Sequence, residues 1–161
     1  MKTTSQNKIV SNQSFISQSK EWKEKGQKVV FTNGCFDLIH AGHIDYLEKA
    51  GNFGDKLVVG LNTDRSVLKL KGPGRPLSDQ NARARILAAL EFVDLVTLFD
   101  EDTPYKLIRQ VVPDILVKGN DYAEEEIVGA KIVKENGGKV RTVPLVAGYS
   151  TSDFIKKIKE V

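Results

Sequence analysis

The sequence is short of several things, and each shortage removes a class of protein. There is one cysteine, Cys35, so no internal disulfide can form and the fold cannot depend on covalent staples. No apolar run approaches the ~20 residues needed to cross a bilayer. The first twenty residues are polar and rich in Ser, Gln and Asn, without the apolar stretch of a secretory leader. Charge of one sign is also lacking. Against 24 basic residues stand 21 acidic ones, a net of +3, which gives no reason to expect a nucleic-acid or membrane surface. Together these shortages predict a cytoplasmic protein. Histidine is scarce too, with only His40 and His43.

The rest is ordinary globular material. The 161 residues suit one domain, and 40% hydrophobic content is enough for a core. Residues 1–12 are expected to form a flexible tail and 13–161 a single domain. Apolar spacing predicts helices over 15–26, 43–50, 78–92, 103–111 and 124–136, and a last helix capped by Ser150 or Thr151. Short apolar runs predict strands over 28–31, 56–61, 95–99, 114–117 and 139–143. Residues 63–77 are mixed, with a loop at Gly72-Pro73-Gly74. Five strands alternating with helices imply a doubly wound, Rossmann-like α/β fold: a five-stranded parallel sheet in a three-layer α/β/α sandwich. Ligands in such folds bind beyond the carboxyl ends of the strands.

That rule directs attention to the segment after the first predicted strand, Thr32-Asn33-Gly34-Cys35-Phe36-Asp37-Leu38-Ile39-His40-Ala41-Gly42-His43. Both histidines lie here, three apart, at the start of a helix. Free N–H groups, the positive end of the helix dipole and two imidazoles make an anion site. Gly42 and Gly34 remove side chains where a phosphate must approach the backbone. A histidine pair three apart is also half of a metal site, but no third His or Cys is nearby. Basic Lys69, Lys71 and Arg75 flank the Gly72-Pro73-Gly74 loop, which suits either a solvated loop or a lid closing on phosphates. Ser150-Thr151-Ser152 opens the last helix and offers a second anion site, or ordinary capping. Lys118-Gly119-Asn120-Asp121 follows the fourth predicted strand. Cys35 reads as a small buried filler.

The stretch VFTNGCFDLIHAGH resembles the signature of the nucleotidyltransferase superfamily that carries the HxGH motif. Further stretches, LKGPGRP, EDTPYKLI, PDILVKGNDY and GYSTSDFI, resemble the adenylyltransferase domain of the ADP-heptose synthases over roughly Lys28 to Ile158. In bifunctional members a sugar kinase precedes this domain. The sequence has no such segment, so the resemblance is to the stand-alone form.

The resemblance implies transfer of AMP from ATP to D-glycero-β-D-manno-heptose 1-phosphate, with release of pyrophosphate and no covalent intermediate. It implies catalytic roles for His40, His43 and Lys71. Thr32, Asn33, Gly34, Phe36, Gly42, Arg83, Lys118, Gly119, Asp121, Ser150, Thr151 and Ser152 would bind the nucleotide. Asp37, Lys69 and Arg75 would bind the acceptor. Mg²⁺ is expected with ATP, without direct protein ligands. The partners would be ATP and a sugar phosphate, and relatives often form homo-oligomers. Two alternatives stay open. One is a glycerol-3-phosphate-type cytidylyltransferase, whose R-T-E-G-I-S-T segment is replaced here by Leu145 to Thr151 without the arginine. The other is a non-catalytic nucleotide-binding protein.

Overall fold

The computed structural model describes residues 4–161. A one-turn 3-10 helix, Ser5–Lys8, leads into β1 (Ile9–Val10) and α1 (Asn12–Glu24). Next come β2 (Val29–Gly34), α2 (Ala41–Gly51), β3 (Lys56–Asn62), α3 (Asp64–Lys71) and α4 (Gln80–Ala89). The chain ends with β4 (Leu95–Phe99), α5 (Tyr105–Val111), β5 (Ile115–Gly119), α6 (Ala130–Glu135), β6 (Lys139–Val143) and α7 (Thr151–Lys159). Among the described residues no helix is long and apolar enough to cross a membrane.

The sheet is wholly parallel, in the order β1-β4-β3-β2-β5-β6. The chain winds from β2 outward through β3 to β4, then returns to place β5 on the other side of β2. The switch point therefore lies between β2 and β5, the place where a doubly wound sheet opens a crevice. Strand alternation divides the apolar side chains between two cores. Val30, Val59, Val96 and Val117 pack against Leu47 of α2 and Leu87 of α4. Phe31, Val58 and Leu116 pack against Phe15 of α1, Ile108 of α5 and Val133 of α6.

The sheet has six strands, one more than expected, and the extra strand comes from the segment expected to be a tail. Ile9 and Val10 pair with Val96 and Thr97. The Lys8 ammonium donates to the carbonyls of Leu90 (3.0 Å) and Val93 (2.7 Å), and Thr97 Oγ1 donates to Val10 O. Two apolar residues among polar ones carry no readable period, so the strand exists only through these tertiary bonds. Residues 1–3 of that expected tail lie outside the described residues.

Three further differences have local causes. The stretch before Gly72 forms α3, because Thr63 caps it by accepting from Ser66 N and Val67 is fully buried. The expected helix over 78–92 is shorter, and Asp79 rather than Ser78 caps it through bonds from Asn81 N and Ala82 N. The expected helix over 124–136 is broken at Gly129, whose φ is +86°. A Cβ there would stand 2.7 Å from Ile108 Cγ2, so backbone and α5 meet too closely for a continuous helix.

Candidate functional site

A cavity of about 670 Å³ opens at the switch point. It is lined by the ends of β2 (Asn33, Gly34) and β5 (Lys118, Gly119), by the starts of α2 and α7, and by the loop from Lys71 to Arg75.

The turn from β2 to α2 is built around Asp37. Its flanking residues, Phe36 and Leu38, hold φ values of +46° and +51°, which cost non-glycine residues energy and need external support. Asp37 supplies that support. Its carboxylate is wholly buried and accepts from Arg75 Nε (2.9 Å), Leu77 N (2.8 Å) and Ser78 N (3.0 Å). Burial alone would raise its pKa, but these donors outweigh it and hold the carboxyl below its usual range. Its carbonyl accepts from Thr151 Oγ1 (2.8 Å), tying the start of α7 to the same turn.

His40 caps α2 and His43 is the third residue of the helix. Their rings stack, with centroids 3.8 Å apart. His43 Nδ1 accepts from His40 N at 3.3 Å, which leaves the proton of the neutral ring on Nε2. Burial, with His40 adding to it, lowers the His43 pKa to about 4, and burial also lowers that of His40. Both rings are therefore neutral donors at pH 7. His40 Nδ1 is buried without a partner. Across the cavity Ser150 caps α7 by accepting from Asp153 N, and Tyr149 and Phe154 stack against His40. Two helix starts thus face one space.

Most expected site residues meet here. His40, His43, Lys71, Asn33, Gly34, Phe36, Gly42, Arg75, Lys118, Gly119, Asp121, Ser150, Thr151 and Ser152 all line the cavity. Four expectations are corrected. The Thr32 hydroxyl is fully buried and bonds Tyr46 Oη at 2.7 Å, so Tyr46 lines the cavity there and Thr32 does not. Arg83 is 1% exposed, and its guanidinium is consumed by the carbonyls of Ser78, Cys35 and Asn62 and by Asp64. It fastens the turn rather than a phosphate. Lys69 pairs with Asp102, which lines the cavity, but does not line it itself. Asp37 borders the cavity, but its carboxylate is spent on the loop and is not free for an acceptor.

Sequence reasoning missed Tyr149, Asn62 and Thr103 as lining residues. Asn62 ends β3, so the strand-end rule that found Lys118 would also have found it. Among the described residues no cluster of three or more His, Cys, Asp or Glu gathers to hold a metal.

Fold and site together define a nucleotide-handling α/β domain with an H-x-G-H turn at its switch point. The Cytidylyltransferase-like family matches residues 31–157. The Bifunctional protein HldE of Methylobacillus flagellatus is 54% identical over 151 residues, covering 94% of this chain and 31% of that protein. That of Gluconobacter oxydans is 59% identical over 135 residues, covering 84% and 28%. The chain thus spans about a third of the length of these relatives. The crystal structure of the lipopolysaccharide core biosynthesis protein from Thermoplasma volcanium aligns with a TM-score of 0.59 at 31% identity, over 75% of this chain and 98% of that one. The chain belongs to the cytidylyltransferase-like family of nucleotidyltransferases.

Proposed function

We propose that the chain transfers AMP from ATP to D-glycero-β-D-manno-heptose 1-phosphate, giving ADP-heptose and pyrophosphate in the cytoplasm. The observation that carries the nucleotidyl-transfer chemistry is the pair of helix starts, α2 with its stacked histidines and α7 with its hydroxyls, facing one cavity. The names of the relatives, HldE and a lipopolysaccharide core biosynthesis protein, support the heptose acceptor.

A phosphate oxygen of the sugar phosphate attacks the α-phosphorus. A new P–O bond forms, the bond to the bridging oxygen breaks, and pyrophosphate leaves with that electron pair. The attacking phosphate is already ionised, so no general base is required. Catalysis is positioning and charge stabilisation. His43 Nε2–H and the α2 N–H groups face the charge that builds on the transferring phosphate. His40 and the α7 start hold the rest of the triphosphate, and Lys71 closes over it from the loop. Mg²⁺ would enter this cavity with ATP and would offset part of the triphosphate charge, while Asp37, the buried carboxylate beside it, is already committed to the loop.

The test crosses ATP and CTP against the heptose 1-phosphate and glycerol 3-phosphate, reading pyrophosphate release. Turnover with ATP and the heptose is the expected outcome. Turnover confined to CTP and glycerol 3-phosphate overturns the reading.

A further inference from the structure

The acceptor is left without most of its expected ligands. Asp37 is committed to the loop, Lys69 lies outside the cavity, and Arg75 is tied to Asp37. The sheet supplies another set. On β5, Val117 faces the core under α2 and Leu116 the core under α5 and α6, so Lys118 continues the Leu116 side. On β2, Phe31 faces α5 and α6, Thr32 bonds Tyr46 on the α2 side, and Asn33 returns to the α5 and α6 side. Asn33 and Lys118 thus stand side by side at the ends of neighbouring strands. Both line the cavity, on the face opposite the stacked histidines, with Thr103 at the same mouth.

Both groups lack adequate partners. The Asn33 side-chain oxygen is buried with no hydrogen bond. The Lys118 ammonium makes one long bond, 3.3 Å to the Asn33 carbonyl, and lies 5.7 Å from the centre of the Tyr122 ring. Asp121 attracts it without forming an ion pair, and burial lowers its pKa. A desolvated ammonium beside an unpaired amide oxygen suits an anion that also carries hydroxyl donors.

We propose that Asn33 and Lys118 form the acceptor subsite, with Lys118 holding the phosphate of a phosphorylated polyol and Asn33 accepting from one of its hydroxyls. This rests on the nucleotidyltransferase reading and specifies which face of the sheet each substrate occupies. The triphosphate lies on the histidine face, and the acceptor reaches the α-phosphorus from the α5 and α6 face.

Lys118→Met keeps the stem and removes the charge, Lys118→Arg restores the charge, and Asn33→Ser replaces the amide with a shorter hydroxyl. Acceptor KM is measured for each, along with calorimetric affinity for α,β-methylene-ATP with Mg²⁺. Lys118→Met is expected to raise the acceptor KM about tenfold or more, the loss of one charge-assisted contact, while analogue affinity stays within about twofold. Lys118→Arg should recover part of the loss, and unchanged analogue binding certifies the fold. An unchanged acceptor KM, or a loss confined to the analogue, overturns the subsite. A wild type that uses CTP and glycerol 3-phosphate overturns the heptose reading alone, and the same comparison with glycerol 3-phosphate then decides the subsite. A wild type that neither binds nor uses either polyol phosphate overturns both.

Discussion

The imidazoles of His40 and His43 stack 3.8 Å apart with their planes 24° from parallel, and the backbone N–H of the first donates to Nδ1 of the second. Two stacked cations at this distance would repel each other, and burial disfavours charge on either ring. The pair is therefore neutral at pH 7, with the His43 proton on Nε2, and in the proposed reaction would serve phosphate as hydrogen-bond donors.

This pairing makes stability depend on pH. With its pKa near 4 in the fold and 6.5 as the ordinary value, His43 binds fewer protons folded than unfolded between those limits. Stability therefore rises with pH through that window and is lost as pH falls from about 6.5 toward 4. His40, also lowered, adds to the same slope. Asp37 acts lower: its stabilisation is complete above 3.8 and disappears as pH drops through its depressed folded pKa. Thermal unfolding across pH 3 to 8 should show the histidine phase, with the Asp37 loss beginning only below 3.8, and His43→Asn should reduce the upper slope and leave the lower one unchanged. His43→Ala should lower kcat about 10²–10³-fold, the usual cost of a lost charge-stabilising donor. Full turnover by that variant would remove His43 from the chemistry.

Lys71 and Lys69 sit on the same exposed end of α3, yet only Lys71 lines the cavity. Lys71→Ala should cost about 10²-fold in kcat with an unchanged unfolding midpoint. Lys69→Ala should change turnover less than about twofold, because its amine pairs with exposed Asp102. Equal losses in steady-state assays would show that the loop contributes general charge rather than one placed ammonium.

The same logic separates fastening residues from contact residues. Arg83 gives its donors to three carbonyls and one carboxylate, so Arg83→Lys, which loses the planar fork, should destabilise by about 2–4 kcal/mol in urea unfolding. Asp37→Ala leaves Leu77 N, Ser78 N and Arg75 without their acceptor and should cost about 3–5 kcal/mol. In either variant, protein that remains folded should still bind ATP. Lost ATP affinity without lost stability would return these side chains to the ligand.

Which of these roles the sequence disclosed depended on whether a residue acts through its neighbours or through distant parts of the chain. The H-x-G-H turn, the Gly72-Pro73-Gly74 loop and Ser150 are local signals, and each sits where expected. Arg83 and Asp37 read as phosphate and acceptor ligands because the family resemblance assigns those positions to the ligands. Apart from the nearby Ser78 carbonyl, the partners of the Arg83 guanidinium come from 19 to 48 positions away, and those of the Asp37 carboxylate from 38 to 41. Nothing in local spacing encodes such pairings. β1 was invisible for the same reason. Strand alternation, by contrast, was available from the start and would have put Asn33 and Thr32 on opposite faces.

Gly42 tests whether the two helix starts act as one site. It lies within α2, where helix propensity alone favours alanine over glycine by about 1 kcal/mol. Here a Cβ would stand 2.9 Å from Tyr149 Cβ and 3.0 Å from His40 Nδ1. The added methyl must push the Tyr149 loop outward, turn the His40 ring, or both, and either motion separates α7 from the histidines. Gly51, at the other end of the same helix, offers a control, since a Cβ there meets nothing closer than 3.6 Å. Gly42→Ala should leave the unfolding midpoint within a few tenths of a molar of urea, because propensity offsets part of the strain, yet lower kcat/KM for ATP at least about tenfold. Gly51→Ala should leave both nearly unchanged. If Gly42→Ala instead turned over normally, the facing helix starts would not need their present separation, and the two-point grip on the triphosphate would have to be abandoned.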